Sequence, residues 1–200
     1  MKQVWMLLMM TILAFAGWNT VQAAEARREW TVSLSVEAKA GDSKTTEKSK
    51  GGKTTGNRWN RQTTRTTQKT TVRNKKWVAH VSCSGKNVPE KAKLKVFFIG
   101  YTDGKLDVLG EKEYTTNLEV GKRNDIDIVS PDAVMVKTTT TKQSRRRGGG
   151  ATSKTTGERM SGCVIQLSVG EEIVKTYATQ SAWISGLHNE PFSAEKLEKK

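Results

Sequence analysis

Three apolar segments of this chain repeat at every second position. Trp30, Val32, Leu34 and Val36 alternate with Thr31, Ser33, Ser35 and Glu37. Trp77, Ala79, Val81 and Cys83 lie on one face with His80 and Ser82 on the other, and Cys163, Ile165, Leu167 and Val169 share one face of a third run. A period of two is that of a strand with one face on a core, because successive side chains point to opposite faces. Residues 94–101 are rich in β-branched and aromatic types, and Asp103-Gly104 follows as a hairpin signal. Residues 106–109, 125–129, 133–141 and 173–178 are further strand candidates, the last entered through Gly170-Glu171. Short strands parted by turn residues predict an all-β antiparallel sandwich or barrel. The only helix signal is Ser193 ahead of Ala194-Glu195-Lys196-Leu197, which predicts a short C-terminal helix with a basic end.

Two low-complexity tracts of Thr, Lys, Arg and Gly interrupt this pattern. Residues 39–76 carry twelve Lys/Arg against Asp42 and Glu47, and residues 137–159 carry seven against Glu158. The whole chain is +14, so everything outside the tracts is close to neutral. Residues 41–57 and 143–157 are rich in Gly, Ser, Lys and Arg and read as mobile loops. Residues 63–73 and 138–141 are Thr-rich, which favours extended backbone without supplying an apolar face. Each tract lies between two better strands and is expected to be a basic hairpin with an overgrown tip. Lys-Thr-Thr recurs at 44, 53, 69, 137 and 154 without fixed spacing, so it is composition and not a solenoid repeat.

The first residues read as a secretory signal. Lys2 supplies the positive end, residues 4–16 form a short apolar run, and Val21-Gln22-Ala23 predicts cleavage after Ala23. The run is shorter than the ~20 residues of a membrane span, and Gly17, Asn19 and Gln22 interrupt it. The expected product is an exported protein, periplasmic, surface-bound or secreted, with no transmembrane span. Removing residues 1–23 and both tracts leaves 116 residues, enough for one domain over 24–200.

Few constellations carry chemistry. In an exported protein, Cys83 and Cys163 are expected to form one disulfide, worth roughly 4 kcal/mol for an 80-residue loop. The alternative is two buried thiols acting as small apolar side chains. The segment 148–155 nearly matches a phosphate-binding loop, but Ser153 stands where its last Gly belongs; before Gly52-Lys53-Thr54, Glu47 stands in place of the first. His80 and His188 have no metal-ligand spacing and read as a solvent-facing strand residue and a loop residue. No metal or cofactor is expected. Asp103, Asp107, Glu111, Asp125, Asp127 and Asp132 read as turn and edge residues, though Asp125 and Asp127 share a strand face in a way that suits glycoside hydrolysis.

Clustered Lys/Arg attracts polyanions through long-range fields and counterion release. Arg145, Arg146, Arg147, Lys53 and Arg58 are the expected contact residues. The run 144–150 is similar to an Arg-Gly-rich RNA-binding segment in composition only. Trp59 is the one aromatic in the tracts, whereas nucleic-acid binding interleaves aromatics with basic residues. The expected partner is therefore an anionic polysaccharide or a cell-surface polyanion, and not nucleic acid.

The stretch 77–183 resembles the immunoglobulin-like and fibronectin type III-like β-sandwiches of exported bacterial proteins. The residues that carry the likeness are Leu94-Lys95-Val96-Phe97-Phe98-Ile99-Gly100, and the strand, turn and returning strand over 164–174. The resemblance implies adhesion, surface-layer, carbohydrate-binding or pilus-like structural roles and supplies no catalytic residues. The leading expectation is a non-enzymatic envelope module whose basic arms dock on a polyanionic glycan or surface. The second is a subunit of a pilus-like or surface assembly, self-associating through β-edges. The third is a glycan-active enzyme using Asp125 or Asp127.

Overall fold

The computed structural model describes residues 29–56, 62–144, 149–187 and 189–198. The segment 1–23 read as a secretory signal, Arg58, Arg145, Arg146, Arg147, Trp59 and His188 lie outside the described residues. The fold is all-β. Ten strands run in chain order: β1 Trp30–Lys39, β2 Ser43–Thr55, β3 Gln62–Arg73, β4 Lys76–Gly85, β5 Lys91–Thr102, β6 Lys105–Asn117, β7 Arg123–Val129, β8 Ala133–Ser144, β9 Gly150–Val169 and β10 Glu172–Ala178. They form two antiparallel sheets. One is β1-β4-β7; the other is β2-β3-β8-β9-β5-β6, with β10 also on β9.

The alternating faces meet where expected. Val32 of β1, Trp77, Ala79, Val81 and Cys83 of β4, and Ile128 of β7 pack against Leu94, Val96 and Phe98 of β5 and Cys163, Ile165 and Leu167 of β9. Trp77 and Phe98 lie 6.2 Å apart between ring centroids. Asp103-Gly104 is the two-residue turn between β5 and β6, with φ of 49° and 91°. Two positive φ values in succession are the mark of the turn type that matches strand twist, which is why Asp-Gly was legible.

A second core covers the other face of β5 and β9. Phe97, Ile99 and Val164 pack with Trp183, Phe192 and Leu197. Burial on both faces explains the unbroken apolar run Val96-Phe97-Phe98-Ile99. Trp183 lies in a 3-10 turn, Ser181–Ile184, and the C-terminal helix is a single turn, Glu195–Glu198. Gln166 fastens this strap. It is buried, its Oε1 accepts from Phe192 N at 2.9 Å, and its Nε2 donates to Glu190 O at 2.8 Å.

Three expectations are corrected. First, the segments read as mobile loops are largely strand: β2 fills most of 41–57, and β9 begins at Gly150. Fully exposed, they owe their order to ladder pairing with Thr-rich neighbours and not to an apolar face. Second, the two arms are not separate. β3 pairs with β8 over twelve residues, from Gln62↔Ser144 to Arg73↔Ala133. The hairpins join into one four-stranded blade, β2-β3-β8-β9.

The third correction concerns the cysteines, which are free and buried. Lys75 Nζ donates to Ser161 O at 2.7 Å, which puts Cys163 near the start of β4. Cys83 lies eight residues farther along, roughly 26 Å of extended chain. A disulfide tolerates Cα separations of only about 7 Å. Both thiols therefore serve as small core residues.

The core explains why the arms meet. At one end of the small sheet, Lys39 pairs with Lys76, and Lys76 with Val129. The chain leaves for β2 and β3 after Lys39, and for β8 after Val129, so both excursions start from the same end. β9 then runs from the blade into the core without a break. Gly157 marks the change of partner: its N–H donates to Asp103 Oδ1 at 2.9 Å, and Asp103 N–H donates to Gly157 O at 3.2 Å.

Candidate functional site

The blade concentrates positive charge, almost unneutralised, on one element. With β9 counted to Gly157, where its pairing with β8 ends, its strands carry ten Lys/Arg and a single acid, Glu47. Every residue of β2 is exposed, as are Gly150–Thr156 of β9, whereas the central strands β3 and β8 are mostly half-buried by their neighbours. Of the expected contact residues, the structure places Lys53, on exposed β2 opposite Thr64. Lys48, Lys50, Thr66, Gln68 and Thr138 line a depression of about 620 Å³ on the blade. Glu47, Thr63, Arg65, Thr67, Thr141 and Gln143 line another of about 410 Å³.

A third cleft, of about 270 Å³, lies where the blade joins the core. Its lining includes Asp42, Arg73, Asn74, Lys75, Glu158 and Arg159. Most of its polar groups are already engaged. Asp42 pairs with Lys76 at 2.9 Å, Asn74 Nδ2 donates to Asp132 Oδ1 at 3.2 Å, and Arg73 Nε donates to Ser43 Oγ at 3.2 Å. The hydrogen bond and charge of Lys76, then the bond from Asn74, hold the Asp42 carboxyl below its ordinary value. This cleft is a satisfied joint, and the blade beyond it is the less neutralised surface.

On the outer face of the small sheet, β4 and β7 place His80 directly opposite Asp125. His80 Nδ1 lies 2.7 Å from Asp125 Oδ1, Arg123 Nη2 lies 2.6 Å from His80 Nδ1 and 3.0 Å from its Nε2, and Arg123 Nε donates to Asp125 Oδ1 at 2.8 Å. The His80 side chain is 12% exposed, so it is a clamped residue and not the freely solvated one expected. The bond from Arg123 first, then that from His80, lowers the Asp125 pKa. Asp127 pairs with Lys39 at 3.6 Å. The two carboxylates thus lie on an open face, each matched to a cation. Among the described residues, no group of three or more His, Cys, Asp or Glu is arranged to hold a metal ion, and no helix is long and apolar enough to cross a membrane.

Burial pushes the Cys163 thiol up to about 11, and burial followed by the charge of Glu119 raises that of Cys83. Neither is a nucleophile at neutral pH. Sequence reasoning missed the joining of the two tracts. The Thr runs were its only signal, since Thr stands in eight of the twelve β3–β8 pairs. The chain matches no protein-family model, no curated protein and no solved structure.

Proposed function

We propose that this protein is an exported, non-enzymatic binding module that docks its basic blade on a polyanionic glycan of a cell envelope. One observation carries the reading: both basic tracts converge on a single blade, β9 counted to Gly157, with ten cations and one acid. A rigid sheet presents charge at fixed spacing, whereas two mobile arms lose conformational entropy on binding. Export rests on residues 1–23. The core is read as an immunoglobulin-like scaffold. What supports this is its strand order once the blade is set aside: first, second and fifth core strands face the fourth, third, sixth and seventh. The constant-type immunoglobulin arrangement differs only in keeping its fourth strand with the first sheet.

Assembly through β-edges is the weaker reading. The exposed outer strand β2 carries four lysines and a bulge at Gly51-Gly52, both of which discourage edge pairing. Hydrolysis of glycans finds no support in the placement of Asp125 and Asp127, which line no cleft described above.

The test is binding of the mature chain to heparin and to lipopolysaccharide across a salt series. Docking of this kind is tight at low salt and weakens steeply as salt rises. Absence of binding at low salt, or binding indifferent to salt, sinks the proposal.

A further inference from the structure

The charge of the blade is divided unequally between its two faces. Strand register decides which side each residue takes. Lys44, Lys48, Lys50 and Lys53 of β2, Lys142 of β8 and Lys154 of β9 fall on one face, with no acid among them. The opposite face holds Arg65, Lys69, Arg73 and Lys137 together with Glu47. The bulge at Gly51-Gly52 is part of this sorting. Lys50 pairs with Thr66 and Lys53 with Thr64, so the extra residue keeps Lys53 on the side of Lys50. Without it, a spacing of three would send Lys53 to the other face.

The faces also differ in how their polar groups are satisfied. On the mixed face, Arg65 Nε donates to Ser49 Oγ at 3.0 Å, Arg73 Nε to Ser43 Oγ at 3.2 Å, and Thr139 and Ser153 share a hydrogen bond of 3.1 Å. Among the described residues, no side-chain hydrogen bond or ion pair involves the six lysines or the Thr and Gln residues between them. The mixed face ties two of its four cations, Arg65 and Arg73, to serines, whereas all six lysines of the other face point their donors outward.

Its layout is a trough. Lys48, Gln68, Thr138 and Lys154 stand in one row across the four strands. Three interstrand steps set the two lysines roughly 14 Å apart, with an amide and a hydroxyl between them. Along the β2 rim, Lys44, Lys48 and Lys50 follow at roughly 13 and 7 Å. Thr64, Thr66, Thr70 and Thr140 continue the floor.

We infer that this lysine face, and not the blade as a whole, is the docking surface, and that its occupant is an extended acidic polysaccharide lying along the strands. The inference rests on the polyanion reading above. Lysines neutralise the repeating anions, while the Thr and Gln floor exchanges hydrogen bonds with sugar hydroxyls. The described blade strands contain no aromatic residue on which a nucleic-acid base could stack. Their apolar side chains on this face are Val72, Val134 and Val136, all near the root, too few to enter a lipid surface.

Two charge-matched variants test it. One carries Lys48→Gln, Lys50→Gln, Lys53→Gln and Lys154→Gln; the other carries Arg65→Gln, Lys69→Gln, Arg73→Gln and Lys137→Gln. Heparin binding is measured against salt, with circular dichroism to verify folding. The first set is expected to weaken binding about tenfold or more and to flatten the salt dependence, the second to weaken it less than about threefold. Equal losses from the two sets overturn the face assignment while leaving the polyanion reading intact. Failure of the unaltered chain to bind heparin defeats that reading itself. Tighter binding to single-stranded DNA or to phosphatidylglycerol vesicles, lost with the same lysines, overturns the polysaccharide as occupant.

Discussion

Replacing Gln166 by Leu should release the C-terminal strap without dissolving the sandwich. The substitution keeps roughly the same volume at a position that is 4% exposed. It removes the acceptor of Phe192 N–H and the donor to Glu190 C=O, bonds of 2.9 and 2.8 Å. A net hydrogen bond contributes about 1 kcal/mol, so losing two costs about 2 kcal/mol. The penalty for an orphaned buried group, about 1–3 kcal/mol each, is avoided only if the strap opens to water. The amide of Phe192 therefore becomes the reporter. Native-state hydrogen exchange should speed up there about 30-fold, the equivalent of 2 kcal/mol at 1.4 kcal/mol per decade. Amides of β4 should change far less, because the main core does not touch Gln166. Unchanged protection at Phe192, or equal loss throughout both sheets, refutes the idea that this amide is a local fastener.

Three further outcomes follow from other parts of the molecule. Asp125 has a folded pKa below its ordinary 3.8, so its contribution to stability is present above that value and is lost as pH falls through the depressed one. Asp125→Asn should lower stability at neutral pH and leave it little changed at strongly acid pH, so that the acid limb flattens; an unaltered acid limb contradicts this. With the Cys163 thiol near 11 and both sulfurs buried, iodoacetamide at pH 8 should label neither cysteine until denaturant is added, and unreduced protein should contain no 83–163 link by mass spectrometry. At Gly157, φ is 105° and an added Cβ lies 2.2 Å from Val134 O. Gly157→Ala should therefore cost more than about 1 kcal/mol in urea, and Gly121→Ala, also at positive φ but in open space, should cost less.

The core strands were legible because one buried face and one solvated face leave a period of two. Val164 and Phe97 broke that alternation for a reason outside their own segments: the strap carrying Trp183, Phe192 and Leu197 covers them. Gln166 gave no warning either, since a polar residue inside a strand reads as outward-facing until its partners are known. The tracts were harder still. Their Thr content announced extended structure, but the partner of each hairpin lies some seventy residues away in sequence. Only the order of the core strands, which sends both connections out at one end, brings β3 beside β8. The lysine face follows from register, and register depends on where the bulge at Gly51-Gly52 falls. The side on which Lys53 faces was therefore hidden, although its charge was plain.

The central claim is that two distant basic tracts form one sheet, and a cross-link between β3 and β8 tests it most directly. Thr67 and Thr139 are paired residues, and directly opposed antiparallel positions have Cα separations of about 4.5–5.5 Å, within the reach of a disulfide. The chain with Thr67→Cys and Thr139→Cys should form a 67–139 disulfide within the monomer under mild oxidation, while Thr67→Cys with Thr152→Cys, two strands away, should not. Efficient linkage of the first pair alone is the predicted result. Free thiols in the first chain, or equal linkage in both, would contradict a blade of paired strands and return the protein to two independent arms.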